Sequence, residues 1–227
     1  MFNLKKSILD LLFPIECLGC KKDGEWLCAN CFNSIKINNQ PFQFNSSSHY
    51  LKRILVAADY QQPLLAKVIQ TFKYNFIPDL GEILGKILLD FLGNLADQID
   101  FSDFDLVIAV PLTKKRKLWR GFNQAEILAK IVSENLGMET DFSLLKRKYQ
   151  TAPQVTLSAK ERLVNVKGVF AVKTPNQLKG KKILLIDDVA TTGATLTECA
   201  KVLKENGAKE VWALVVAGEQ FNLKIRG

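Results

Sequence analysis

The sequence predicts an α/β domain that is built on a mainly parallel sheet and preceded by a small cysteine-rich module. Apolar segments of strand length alternate with amphipathic segments of helix length over residues 50–227. The run at residues 183–186 is apolar at every position, which favours a strand buried on both faces of a parallel sheet. Four of the five cysteines fall within residues 17–31, ahead of that alternation.

The elements follow in chain order. Residues 1–37 hold the cysteines and a short apolar stretch at residues 8–15, which suits an amphipathic helix packed on the cysteine module better than one on a membrane surface. Residues 38–49 are polar and rich in turn formers, which predicts a linker. In the domain we predict strands at residues 54–60, 105–110, 182–186 and 211–217, and helices at residues 64–74, 80–95, 124–136 and 195–206.

Composition limits the classes of function. The 227 residues are 48% hydrophobic, which suits one sizeable domain with a small appendage. A net charge of +8 favours a polyanionic partner or substrate. No apolar run reaches the roughly 18 residues of a membrane span, and nothing at the N-terminus resembles a secretory signal, so we expect a cytoplasmic protein.

Two Cys-x-x-Cys pairs, Cys17 with Cys20 and Cys28 with Cys31, predict a zinc site. Four thiolates fill a tetrahedral shell, so this zinc would be structural and not catalytic. Two disulfides or a redox pair are the alternatives, and an intracellular setting disfavours the disulfides. Cys199 lies on the apolar face of a predicted helix and is interpreted as a core residue.

Residues 183–195 carry the strongest functional signal. The acids Asp187 and Asp188 follow the apolar run, and a loop of small residues then feeds a helix N-terminus, where backbone N–H groups and the helix dipole favour an anion. We predict that this loop binds a phosphate and that the acids accept hydrogen bonds from hydroxyls or hold a cation. A solvated acid pair in an ordinary strand–turn–helix is the alternative. The loop, called here the phosphate loop, consists of Ala190, Thr191, Thr192, Gly193, Ala194 and Thr195.

This segment resembles the phosphoribosyltransferase signature, in which four hydrophobic residues and two acids precede Thr-Gly-x-Thr. The resemblance implies that Asp187, Asp188 and the phosphate loop bind phosphoribosyl pyrophosphate (PRPP) with magnesium. It also implies a pyrophosphate role for the loop after the strand at residues 105–110. We assign this role to Leu112, Thr113 and Lys114, although the usual glycine pattern of that loop is missing.

Residues 114–120, called here the basic tract, combine cations with an aromatic ring. This combination favours single-stranded nucleic acid, since cations follow the backbone and rings stack on bases. A lid over a pyrophosphate leaving group and a solvated loop remain as alternatives. The candidate nucleic-acid-binding residues of the tract and of a second patch are Lys114, Lys115, Arg116, Lys117, Trp119, Arg120, Lys146, Arg147 and Lys148.

Nearly the whole chain, from Cys17 to about Ala217, is similar to the ComF family. The resemblance rests on the four cysteines, Lys73 and Tyr74 at a helix end, the sequence ArgGlyPheAsnGln at residues 120–124, and the acid–threonine segment. It implies a phosphoribosyltransferase-type sheet in a bacterial cytoplasmic protein needed for natural transformation. Such a protein would handle incoming single-stranded DNA behind the uptake machinery at the inner membrane.

Two functions remain open. One is a DNA-handling protein that keeps a PRPP pocket as a regulatory site or a relic. The other is an active phosphoribosyltransferase with an unknown acceptor, in which magnesium and the basic tract would stabilise the departing pyrophosphate. No catalytic residue is assigned. Residues 61–104 show amphipathic helices without a convergent polar set for an acceptor, which favours the DNA-handling function.

Overall fold

The structure is a computed structural model that describes residues 15–41, 49–75, 77–148 and 166–219. The predicted amphipathic stretch at residues 8–15 lies, apart from Ile15, outside these residues. The helices are α1 (Ala29–Asn33), α2 (Pro63–Tyr74), α3 (Leu80–Asn94), α4 (Lys114–Arg120), α5 (Gln124–Leu136) and α6 (Ala194–Glu205). The strands are β1 (Arg53–Asp59), β2 (Leu106–Ala109), β3 (Glu139–Thr140), β4 (Leu145–Arg147), β5 (Phe170–Val172), β6 (Lys182–Ala190) and β7 (Glu210–Gly218).

Five strands form one sheet in the order β1-β7-β6-β2-β3, and every neighbouring pair is parallel. The central strands β2 and β6 are buried along the apolar run that the sequence showed, with Val107 opposite Leu184 and Ile108 opposite Leu185. Strands covered on both faces are expected to be apolar throughout. The predicted α/β class with a mainly parallel sheet is therefore confirmed.

The helices cover the sheet. Helices α3 and α5 pack against each other, α5 lies on β2 and β6, and α3 reaches β7 and β1. Helix α6 packs on β6 and β7 together with the antiparallel hairpin of β4 and β5. This arrangement leaves the carboxyl ends of β2 and β6 side by side, which is where ligands collect in open α/β sheets.

The cysteine module packs directly on the domain. Its buried residues Cys17, Leu27 and Ile35 belong to the same apolar core as the sheet. Lys67 of α2 donates a hydrogen bond to the Leu18 carbonyl over 2.6 Å. The module and the domain therefore share one core.

Three local features differ from the expectations. The basic tract is the helix α4 and not a loop. Strand β6 continues through both acids to Ala190, because its parallel pairing with β7 extends to Gly218. The hairpin of β4 and β5 was not anticipated. Among the described residues, no helix is long and apolar enough to cross a membrane.

Candidate functional site

A cavity of about 1020 Å³ opens at the carboxyl ends of β2 and β6. Most of its wall comes from the end of α2, the loop after β2, helix α4, the start of α5, the end of β6 and the phosphate loop. Tyr60, Arg147 of β4 and Glu219 add single residues. The polar and aromatic residues of its wall are Tyr60, Gln70, Lys73, Tyr74, Thr113, Lys115, Arg116, Trp119, Arg120, Asn123, Gln124, Arg147, Asp187, Asp188, Thr191, Thr192, Thr195 and Glu219. Cations outnumber acids on this wall, so the cavity suits a polyanion.

The acid pair forms one side of the cavity. Asp188 is buried, and its Oδ1 forms an ion pair with Lys73 Nζ of α2 at a distance of 2.8 Å. Asp187 is half-buried, and its Oδ1 accepts a 2.9 Å hydrogen bond from the Asp188 backbone N–H. Burial and the charge of Asp188 raise the pKa of Asp187 to about 7, against the opposing attraction of Lys73 and Arg120. Hydroxyl donors or a cation at Asp187 would therefore favour its ionised form.

The phosphate loop meets the acid pair at the same edge. Gly193 adopts a left-handed conformation with φ of 69°, which costs other residues conformational energy, and it is the N-cap of α6. The Thr192 hydroxyl accepts a 3.4 Å hydrogen bond from the Ala194 N–H. The first turn of a helix leaves N–H groups without intrahelical partners, so the loop presents donors to the cavity. All six residues of the phosphate loop line the cavity.

The loop after β2 reaches the cavity through Leu112 and Thr113. Thr113 is also the N-cap of α4, since its Oγ1 accepts a 3.2 Å hydrogen bond from the Arg116 N–H. Lys114, the third residue assigned to pyrophosphate, is exposed and does not belong to the cavity wall. The structure therefore places two of these three residues in the wall of the cavity that the acid pair also lines.

Helix α4 divides the basic tract between two environments. Lys115, Arg116, Trp119 and Arg120 line the cavity, whereas Lys114 and Lys117 are exposed outside it. Lys117 Nζ forms a 2.8 Å ion pair with Glu126 of α5.

The second basic patch is divided in the same way. Arg147 reaches the cavity wall from β4, while Lys146 and Lys148 are exposed on either side of it.

Sequence reasoning missed a polar set on α2. Gln70, Lys73 and Tyr74 all line the cavity that the phosphate loop also lines. The expectation that residues 61–104 offer no convergent polar set is therefore wrong. The spacing of these residues at i, i+3 and i+4 places them on one helix face, and this spacing was the available signal.

Aromatic rings flank the cavity mouth. Tyr74 and Trp119 are both about half exposed, and their ring centroids lie 6.1 Å apart. The Arg120 guanidinium lies 5.1 Å from the centroid of the Tyr74 ring. Exposed rings beside cations are the side chains on which nucleic-acid bases stack.

The four N-terminal cysteines converge as predicted. Their sulfur atoms all lie within 4.8 Å of one another. In a tetrahedral zinc–thiolate site the sulfur–sulfur distance is about 3.8 Å, so a small shift would bring the four thiolates to zinc. Gly19 lies against this cluster, where a Cβ would stand 2.6 Å from the Cys31 sulfur. The cluster can therefore hold a metal ion such as zinc, and no position remains for a water or a substrate once four thiolates bind.

The protonation behaviour of the thiols fits a metal site. Burial raises the pKa of Cys17, but hydrogen bonds from the backbone of Cys28, Cys20 and Gly19 outweigh it and lower the pKa to about 6. The hydrogen bond with the Cys28 thiol, followed by burial, raises the pKa of Cys31 to about 12. Cys31 therefore keeps its proton at neutral pH until a divalent cation displaces it.

The profile of the phosphoribosyl transferase domain matches residues 122–221. The chain is 34% identical to the DNA utilization protein YhgH of Shigella flexneri over 72% of this chain and 71% of that protein. It is 29% identical to competence protein F of Haemophilus influenzae, over 90% of this chain and 98% of the relative. It is also 36% identical to competence protein ComFC of Streptococcus pneumoniae, over 61% and 57% of the two chains.

Proposed function

Because the chain belongs to the ComF family and carries a phosphoribosyltransferase-type domain, we propose that it handles imported single-stranded DNA during natural transformation. In this proposal its cavity binds PRPP with magnesium. The names of the relatives, which refer to competence and DNA utilization, support the biological role. The protein would act in the cytoplasm, next to the DNA-uptake machinery at the inner membrane.

One observation carries the proposal. A single cavity joins the acid pair, the phosphate loop and four residues of the basic tract. The phosphate of a ribose 5-phosphate matches the N–H donors at the start of α6, and ribose hydroxyls match carboxylate acceptors. Magnesium, when bound with PRPP, would offset the charge of the diphosphate.

The exposed part of the basic tract supports the DNA role. Lys114 and Lys115 are exposed, and Trp119 presents a ring to solvent beside them. Phosphate contacts from lysines release counterions, and a ring can stack on any base. A single strand would therefore follow α4 toward the cavity mouth.

Calorimetry with PRPP and magnesium tests the pocket. Replacing Asp187→Asn together with Asp188→Asn preserves the shape of both side chains and removes their charge. We expect the affinity for PRPP to fall about tenfold or more, as for the loss of charged hydrogen bonds. Asp97→Asn, at an exposed acid outside the cavity, is the control. Unchanged affinity in the double variant would refute the pocket assignment.

The salt dependence of single-stranded DNA binding tests the DNA role. Replacing Lys114→Ala together with Lys115→Ala should reduce the slope of log affinity against log salt by about 1.4, or about 0.7 for each lost phosphate contact. Lys130→Ala with Lys201→Ala is the matched control, since both lysines lie on helices away from the cavity. Equal slopes in the two double variants would argue against DNA on α4.

An active phosphoribosyltransferase is the second candidate function. The observation in its favour is the polar set of Gln70, Lys73 and Tyr74, which lines the same cavity as the phosphate loop and could orient an acceptor. In such a reaction the bond from C1 of ribose to the diphosphate breaks, the diphosphate leaves with the electron pair, and the acceptor nucleophile bonds to C1. Pyrophosphate release from PRPP in the presence of candidate acceptors would establish this activity, and its absence across a broad acceptor screen would favour the DNA-handling function.

A further inference from the structure

Two aromatic rings line the same cavity as the acid pair. Tyr74 and Trp119 are 46% and 54% exposed, and their ring centroids lie 6.1 Å apart at an interplanar angle of 58°. Rings that keep about half of their surface in contact with solvent offer a face to a flat apolar group. A nucleobase is such a group, and its stacking on an aromatic side chain does not depend on its sequence.

These rings are connected to the acid pair and to the phosphate loop. Tyr74 directly follows Lys73, whose Nζ lies 2.8 Å from Asp188 Oδ1. The phosphate loop begins two residues after Asp188, at Ala190. The contacts therefore lead from anion donors through polar side chains to an aromatic surface. A nucleoside 5′-monophosphate carries its phosphate, sugar and base in the same order.

The ion pair between Lys73 and Asp188 changes which sugar the acids can accept. Two carboxylates without partners would need hydroxyl donors from the ligand and would repel a phosphate on a neighbouring sugar oxygen. Here Lys73 offsets the charge of Asp188, and its side chain stays 19% exposed. The site therefore suits the deoxyribose of a DNA strand, which has no 2′-hydroxyl and carries an internucleotide phosphate on its 3′-oxygen.

Helix α4 provides cations next to the rings. Lys115 precedes Trp119 by four residues, so both lie on one face of the helix, and both line the cavity. Lys114 is exposed outside the cavity at the start of the same helix. A strand whose first base contacts Trp119 would therefore meet positive charge at its next phosphates.

We propose that the cavity binds the 5′-phosphorylated end of single-stranded DNA. The terminal phosphate occupies the phosphate loop, the first deoxyribose lies beside the ion pair of Lys73 with Asp188, and the first base contacts the two rings. The inference rests on the proposed function, since it names the part of the DNA that the same cavity binds. A terminal phosphate carries a charge of about −1.5 to −2 at neutral pH, whereas each internucleotide phosphate carries a single charge. The phosphate loop thus distinguishes the end of a strand from its interior, and PRPP competes with that end through its own 5-phosphate.

Matched oligonucleotides test this inference. One short thymidine oligonucleotide is prepared with a 5′-phosphate, with a 5′-hydroxyl and with a 3′-phosphate, and each form is titrated with magnesium into the full, metal-loaded chain. The 5′-phosphate form should bind about tenfold or more tightly than the other two, as for a gain of charged hydrogen bonds. Saturating PRPP should remove this preference. Because the 5′-phosphate and 3′-phosphate forms have the same charge, equal affinities for them overturn the inference, and so does a preference that PRPP leaves intact.

Thymidine 5′-monophosphate distinguishes a strand end from a free nucleotide, which offers the same phosphate, sugar and base. The 5′-phosphorylated strand should bind more tightly, since only the strand carries further phosphates that can meet Lys114. Equal affinities for the strand and the free nucleotide overturn the assignment to a strand end.

Two variants and a control locate the end in the cavity. Thr191→Val together with Thr192→Val keeps the shape of the phosphate loop and removes two hydroxyl donors, so the preference for the 5′-phosphate form should fall about fivefold or more. Trp119→Ala should weaken binding of that form about fivefold or more, through the loss of stacking. Leu118→Ala is the matched control, because this neighbour of Trp119 is 85% exposed and lies outside the cavity wall.

The outcomes separate this inference from the proposed function. An unchanged preference in the threonine variant overturns the inference, and so do equal effects of Trp119→Ala and Leu118→Ala. A native chain that binds PRPP and single-stranded DNA without preferring a 5′-phosphate defeats this inference alone. A native chain that binds neither PRPP nor any of the oligonucleotides defeats the proposed function and the inference together.

Discussion

The ion pair between Lys73 and Asp188 should stabilise the fold as well as shape the cavity. The two charged atoms lie 2.8 Å apart, and the side chains keep only 19% and 10% of their surface exposed. At an effective dielectric constant of about 20, the direct attraction at this distance is about 6 kcal/mol. Most of it offsets the desolvation of the two groups, so the relevant quantity is the cost of removing one partner.

Lys73→Met removes the charge and keeps most of the apolar stem. A buried ion left without its partner costs about 3–5 kcal/mol. Lys73 keeps some contact with solvent and Arg120 also attracts Asp188. We therefore expect a smaller loss in the free energy of unfolding, about 2–3 kcal/mol at neutral pH.

Urea unfolding of the metal-loaded chain measures this loss. Lys130→Met is the control, because its ion pair with Glu134 spans 3.7 Å on an exposed helix face and should contribute less than about 0.5 kcal/mol. Asp188→Asn completes a double-mutant cycle, in which the two losses should couple by about 1 kcal/mol or more. If Lys73→Met costs no more than Lys130→Met, or if the cycle shows no coupling, the reasoning is refuted.

Three more perturbations test other parts of the molecule. Burial and the charge of Asp188 raise the pKa of Asp187 from 3.8 to about 7. The folded chain thus keeps a proton that the unfolded chain loses. Between about pH 5 and pH 7, the free energy of unfolding of the native chain should therefore fall by about 1–3 kcal/mol relative to that of Asp187→Asn, as measured by urea unfolding. If the two proteins lose stability in parallel as the pH rises, this prediction is wrong. Cys28→Ser should abolish binding of one zinc per chain, measured by metal analysis, and zinc retained at full occupancy contradicts the site. Gly193→Ala should lower the free energy of unfolding by about 1–2 kcal/mol in thermal unfolding, because φ at this position is 69° and strains a residue with a Cβ. Unchanged stability in this variant would contradict the expected backbone strain.

The sheet was predictable because strands that are buried on both faces are apolar throughout, and such runs are visible in the local sequence. Strands β1, β2 and β7 each lie within one or two residues of the predicted bounds. The end of β6 was not predictable in this way, since Asp187 and Asp188 interrupt the apolar run and their place in the strand depends on pairing with β7. Register between distant strands is a tertiary property.

Helix α4 shows why a local pattern can hide a helix. Its two large apolar residues, Leu118 and Trp119, are both exposed, so no apolar face marks it. The helix instead begins at the Thr113 cap and ends at the left-handed Gly121, two signals that are short and common in loops. A run of cations between them reads as a solvated loop.

The candidate site also contains a part that the sequence predicts and a part that only the fold reveals. The acid pair and the phosphate loop are contiguous in sequence, so their chemistry could be predicted from residue types and order. Gln70, Lys73 and Gln124 come from helices that only the fold brings to the cavity. Their contribution depends on helix packing, which single-sequence patterns do not encode.

Helix α2 touches the cysteine cluster's segment at one end and the ligand cavity at the other. Lys67 donates a hydrogen bond to the Leu18 carbonyl. Lys73, less than two turns further along the helix, forms the ion pair with Asp188. Twelve residues give this helix a length of about 18 Å, short enough to move as a rigid rod. Metal loading and ligand affinity should therefore be thermodynamically linked. If the cavity binds PRPP as proposed, a chelator that removes the metal ion from the thiolates would loosen this helix and weaken PRPP binding from a distance.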